Sequence, residues 1–219
     1  MTTPPPEPPH AAPTPHGGLF VSFEGGDGVG KSTQLELLAA WLRAAGHEVV
    51  TTREPGGTPL GRGLREAVLH GDHMGARAEA LLYAADRAHH VDTVVRPALE
   101  RGAVVLTDRY LDSSVAYQGD GRELGAREVE QLSLWATEGL LPDLTVLLDL
   151  DPAVGLGRLT GAPDRLEAAG AAFHERTRRA FLARATTARW LVVDAAQAPQ
   201  VVQEQVRARV AALLGGARG

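Results

Sequence analysis

Cysteine is absent from the 219-residue chain, so disulfides, thiolate metal sites and a thiol nucleophile are all excluded. That composition fits a reducing compartment. Lysine is nearly absent as well: of 22 basic residues it occurs once, at Lys31, against 21 arginines. A basic excess is also missing, since the net charge is -5 and the pI is near 5.9, which argues against non-specific binding to nucleic acid or a membrane surface. An anionic ligand must therefore be held by locally placed groups. No apolar run comes close to the roughly 20 residues that span a bilayer; the run at 144–150 is typical of the longest. Residues 1–16, "MTTPPPEPPHAAPTPH", have neither the basic nor the apolar region of a signal peptide. The expected location is the cytoplasm, with no membrane or nucleic-acid partner.

The same opening segment holds seven prolines and little that could offset the entropy of ordering a backbone, so a disordered tail is expected at 1–16. From residue 17 onward, a chain that is 44% hydrophobic overall has enough apolar surface for one compact domain over 17–219. Short apolar runs alternate with longer helical stretches, the pattern of strands joined by crossover helices. Strands are expected at 19–24, 48–52, 103–107, 144–149 and 190–194, and helices at 31–45, 77–91, 127–138, 168–183 and 199–214. Gly46 and Gly102 sit where helices should stop. The predicted class is α/β, three-layered, with a five-stranded and mainly parallel sheet. The glycine-rich segment 155–163, "GLGRLTGAP", reads as a mobile loop.

The lone lysine lies in "FEGGDGVGKSTQ", residues 23–34, where Gly25, Gly30, Lys31 and Ser32 fit G-x-x-x-x-G-K-[ST] between a strand and a helix. Backbone N–H groups of such a loop converge on phosphate oxygens, and the helix start adds its positive end. A compact ammonium can follow a phosphate during transfer where a planar guanidinium would not fit. The Ser32 hydroxyl would reach Mg²⁺. The loop indicates a nucleoside triphosphate without saying what is done with it. With no second lysine, the N-K-x-D base reader of a GTPase switch is impossible.

Of three further clusters, two stand at expected strand ends, where ligands of parallel sheets bind, and one on an expected helix. They are "TREPGGTPLG" with Arg53, "EALLYAADRAHH" with Tyr83 and Arg87 on one helical face, and "LTDRYLDSSVAYQG" with Asp108 and Arg109. Each alone has a structural reading, as a surface pair or a core aromatic; together they supply guanidinium forks, an aromatic face and hydrogen-bonding groups for a second, phosphate-bearing substrate. His89 and His90 lack metal-ligand spacing and read as ordinary helix residues.

These stretches, with "LPDLTVLLDL" and "DRLE", make the chain resemble the bacterial thymidylate kinase (dTMP kinase) family of P-loop nucleoside monophosphate kinases from residue 19 onward. The resemblance implies phosphoryl transfer from ATP to dTMP with Mg²⁺, and a homodimer. It implies ATP binding by Gly25, Gly26, Asp27, Gly28, Val29, Gly30, Lys31, Ser32 and Thr33, with Asp108 beside Mg²⁺ and the transferring phosphates. By position, Arg109 and Arg53 match ligands of the dTMP phosphate, and Asp27 the carboxylate near its 3'-hydroxyl. Tyr83 matches the residue stacked on thymine, Arg87, Ser114 and Gln118 contacts to the base, and Tyr117 the residue under the deoxyribose. The lid, about 155–167, is poor in basic residues for this family. Its Arg158 and Arg165 are the candidates to donate to the transition state, with Arg165 also able to pair with Asp164 or Glu167.

Overall fold

A computed structural model of the chain describes residues 17–160 and 162–216; the tail expected at 1–16 lies outside the described residues. Five strands, β1 (Leu19–Glu24), β2 (Val49–Arg53), β3 (Val104–Asp108), β4 (Leu144–Asp149) and β5 (Trp190–Asp194), form one sheet in the order β2-β3-β1-β4-β5. Every pairing is parallel. Parallel neighbours need crossovers, and helices supply them: α1 (Lys31–Ala44), α2 (Pro59–His70), α3 (Ala76–His90), α4 (Arg96–Glu100), α5 (Leu111–Ser114), α6 (Ala126–Ala136), α7 (Pro152–Leu156), α8 (Ala171–Arg184) and α9 (Pro199–Gly216).

Alternation along β1 divides the core between the two sheet faces. Leu19, Val21 and Phe23 pack with Leu38 and Leu42 of α1 and Val206 and Val210 of α9. Phe20 turns the other way, onto Val95, Leu99, Tyr110 and Leu111. A third apolar cluster joins Tyr83, Tyr117, Leu147, Phe173 and Phe181, and ties α3 and α8 to the strand ends.

Several expected boundaries shift for identifiable reasons. The helix expected at 77–91 runs on through a π-helical turn, Val91–Val95, into α4. Pro97 lacks the N–H an unbroken helix would need there, and the wider turn accommodates it. The helix expected to begin at 168 begins at Ala171, because Gly170 has φ 92. α2 occupies part of the proline- and glycine-rich stretch for which no element was expected; Thr58 caps it by accepting from the Gly61 amide at 2.9 Å, and Pro59 takes its first position. The loop expected from Gly155 is helical at its start: α7 includes Gly155 and Leu156, capped by Asp151 accepting from the Ala153 amide at 2.8 Å.

Candidate active site

The carboxyl ends of β1, β2 and β3 deliver the functional residues. The loop from Gly25 to Gly30 wraps the start of α1, and Gly30, with φ 98, supplies a left-handed turn that a side chain would strain. Gly28 is fixed by packing as well: a Cβ there would sit 2.0 Å from the Gly155 carbonyl oxygen, so the loop rests directly on α7. Val29 is buried beneath it, while Ser32 and Thr33 face outward from the first turn of α1.

Inside the loop, Lys31 Nζ donates to the Gly26 carbonyl at 2.5 Å and to that of Gly25 at 3.3 Å. Burial, with repulsion from Arg109, pulls its ammonium down to about 8, against the attraction of Asp108, Asp27 and Glu24. Ser32 Oγ donates to Asp108 Oδ2 at 2.9 Å. A hydroxyl and a carboxylate at that separation form a hard oxygen pair suited to Mg²⁺, so the residues present fit that ion.

Arg109 stands where the phosphate loop meets a second cleft. Its backbone has φ 68, a conformation few side chains adopt, and its amide donates to the Phe23 carbonyl at 2.9 Å. Nη1 donates to Gly25 O and to Ser113 Oγ, both at 3.0 Å; Nη2 reaches Asp27 and, at 3.1 Å, the Tyr117 hydroxyl. The guanidinium also lies 4.8 Å from the centre of the Tyr117 ring. Burial opposes ionisation of Asp27, but Arg109 and Lys31 hold its carboxyl below the usual range. The Tyr117 hydroxyl donates to Asp27 Oδ2 at 3.1 Å.

The second cleft, of about 510 Å³, is bounded by Arg109, Tyr83, Tyr117, Ser114 and Gln118, with Pro55 and Arg65 on the α2 side and Asp164 and Leu166 from the lid. Its lining of arginines, aromatic rings and hydroxyls suits a phosphate-bearing ligand with an aromatic base. Arg87 also lines it and is fully buried, donating to Glu54 at 2.7 Å, Ser114 at 3.0 Å and Ser133 at 3.1 Å. Arg53 is not brought to the cleft wall: it is exposed at the end of β2, in register with Asp108. Arg65 of α2 does line the cleft, donating to the Pro55 carbonyl at 3.2 Å.

The two lid arginines differ. Arg158 is exposed, with Nη1 3.5 Å from the Gly28 carbonyl oxygen of the phosphate loop. Arg165 is turned away, bound to the Val68 carbonyl and, at 2.9 Å, to Glu79 rather than to Asp164 or Glu167. Buried Glu79 also accepts from Gln118 at 2.9 Å and from Arg122 at 3.3 Å. Sequence reasoning assigned Glu79 nothing, because three partners from distant segments give it its role.

His90 is more than an ordinary helix residue: it is buried, with Nδ1 2.8 Å from Glu54 Oε1 and Nε2 2.7 Å from Thr52 Oγ1. Through Glu54 it supports the Arg87 fork. Nearby Asp86 is pushed up to about 6 by burial and by Glu54, and its Oδ1 accepts from the Gly56 amide at 3.3 Å. Among the described residues, no His, Cys, Asp and Glu group of three or more is arranged to hold a metal ion. That bears on dedicated protein cages, not on an ion carried in by a triphosphate.

A phosphate loop after β1, a parallel sheet in this order and flanking helices define an α/β fold consistent with a P-loop kinase, with a facing cleft lined by arginines and aromatics. A family profile described as Thymidylate kinase matches residues 23–206. A protein named Thymidylate kinase from Clavibacter sepedonicus is 64% identical over 203 residues, covering 90% of this chain and 96% of the relative. Its counterpart from Leifsonia xyli is 62% identical, covering 91% and 98%, and that from Deinococcus radiodurans 53% identical, covering 88% and 96%. The chain belongs to the thymidylate kinase family.

Proposed function

We propose that the chain transfers the terminal phosphoryl group of ATP to the phosphate of dTMP, giving ADP and dTDP. One observation carries the reading above the others: the Arg109 fork lies between the phosphate loop at Gly25 and the second cleft, where an acceptor phosphate would meet the donor. A new bond forms between a dTMP phosphate oxygen and the γ-phosphorus, and the bond from that phosphorus to the β,γ-bridging oxygen breaks. The attacking oxygen is already anionic, so no strong general base is needed. What must be overcome is repulsion between two polyanions held in line.

The residues divide that work. Residues 25–33 cradle the ATP phosphates, with Lys31 following the transferred group, and Arg158 supplies positive charge from the lid side. Ser32 and Asp108 would hold Mg²⁺, which when bound neutralises charge on the donor phosphates. Arg109 binds the dTMP phosphate, with Arg65 on the same side of the cleft, and Asp27 faces the 3'-hydroxyl. Tyr83 stacks on thymine, Ser114, Gln118 and Arg87 address its edge, and Tyr117 closes the space a ribose 2'-hydroxyl would need. Residues 17–219 act as one kinase domain with a lid at about 155–167. A cytoplasmic homodimer is part of the same reading; no helix among the described residues is long and apolar enough to cross a membrane.

Coupled ADP-release assays with dTMP, dUMP, UMP and dCMP test the assignment. Preference for dTMP, with UMP poorest of the uracil pair, is expected; turnover of UMP equal to that of dTMP would sink it.

A further inference from the structure

Glu24 belongs to none of the groups that touch either site. It ends β1 one residue before the phosphate loop, is fully buried and does not line the acceptor cleft. Strand alternation turns it toward the face of Phe20 and α5, away from Phe23. There, Oε1 accepts from the Tyr110 amide at 2.8 Å and Oε2 from Ser113 Oγ at 2.5 Å. Ser113 Oγ in turn accepts from Arg109 Nη1 at 3.0 Å. The two contacts therefore grip Arg109 from both ends, one through the peptide that follows it and one through its guanidinium.

We propose that Glu24 is the positioning residue for the acceptor phosphate: through Ser113 and the Tyr110 amide it holds the Arg109 fork against the phosphate loop. The donor loop and the principal acceptor contact then move as one unit, because Glu24 is continuous with the loop. A strained backbone at Arg109 needs such a restraint, since a left-handed residue reverts once its neighbours stop over-determining it. A hydrophobic residue at 24 would fill the space and restrain nothing. The inference rests on the reading of Arg109 as a ligand of the dTMP phosphate.

The test compares KM for dTMP, KM for ATP and kcat in Glu24→Leu, Glu24→Gln, Ser113→Ala, Arg109→Ala and the Glu24→Leu/Arg109→Ala double variant. Glu24→Leu and Ser113→Ala are expected to raise KM for dTMP by about tenfold, the worth of one hydrogen bond to a charged group, while KM for ATP stays within about twofold. Glu24→Gln should recover most of that loss, because its amide oxygen can accept from Tyr110 and its amide nitrogen can donate to Ser113. On an Arg109→Ala background, Glu24→Leu should raise KM for dTMP no further. Ser113→Ala folds whether or not leucine is tolerated at position 24, since it removes one hydroxyl. The proposal is overturned if Ser113→Ala leaves KM for dTMP unchanged, if both Michaelis constants rise together, if glutamine does no better than leucine, or if the double variant is additive. Unchanged dTMP kinetics in Arg109→Ala alone would instead remove the acceptor-site reading beneath it.

Discussion

At the scale of single residues, the lone lysine has an environment that no arginine would suit. Two loop carbonyls lie against Lys31 Nζ, and burial brings its ionisation down to about 8. The ammonium of the free protein thus loses its proton, and its attraction for phosphate, as pH rises through 8. The value of kcat/KM for ATP, which reports the free enzyme, is expected to decline above pH 8 by up to about tenfold per pH unit. Saturating ATP should keep kcat level to higher pH, because the bound phosphates favour the charged form. A flat kcat/KM from pH 7 to 9.5 would contradict this account of Lys31.

The two lid arginines invite an opposite pair of outcomes. Arg158 is exposed beside the phosphate loop, so Arg158→Ala should lower kcat by about 10²-fold with the melting temperature unchanged. Arg165 holds buried Glu79, so Arg165→Ala should lower the melting temperature by about 5 °C and affect kcat less. Thermal melts and steady-state rates on the two variants separate the roles. The sequence named both residues and favoured Arg158 only slightly, since only the fold brings Glu79 to Arg165.

At the scale of elements, the apolar runs at 19–24 and 144–149 were legible to the residue, because a strand buried on both faces leaves an uninterrupted run; the run at 190–194 was equally legible although β5 is a half-exposed edge strand. α2 was obscured by its glycines and prolines, although Thr58-Pro59 is a cap followed by a first-position proline. The π-helical segment Val115–Gly121, which carries Tyr117 and Gln118, has no periodicity that a sequence displays. Arg65, Asp164 and Leu166 were missed for a different reason: they meet at the cleft only once α2 and the lid base have packed.

Contact between α7 and the phosphate loop gives the element scale its own test. A Cβ on Gly155 would come within 2.4 Å of the Asp27 carbonyl oxygen. Gly155→Ala must displace the loop or α7, with overpacking costing about 1–3 kcal/mol. A melting temperature lower by about 5 °C and a raised KM for ATP are expected in thermal and kinetic measurements. Wild-type values for both would show that the loop is not seated on α7 as described.

For the whole molecule, the order β2-β3-β1-β4-β5 puts the phosphate loop and Asp108-Arg109 side by side, because β1 and β3 are neighbours despite the four α-helices and one strand that separate them in the chain. Sequence motifs alone placed both segments at strand ends; only the strand order makes them one site. The outer surface carries a second consequence. Trp135 of α6 is 80% exposed, the kind of large apolar side chain that the proposed homodimer would cover. Trp135→Glu is expected to shift sedimentation from dimer toward monomer, and an unaltered dimer would put the interface elsewhere.

In the proposed reaction one molecule presents a donor loop and a separate acceptor cleft that meet at Arg109. Calorimetric titration of dTMP and of ATP into the wild-type protein and Arg109→Ala tests this arrangement directly. Binding of dTMP without ATP is expected, weakened by about tenfold or more in the variant, with ATP affinity nearly unchanged. Equal dTMP affinity in the two proteins would contradict it.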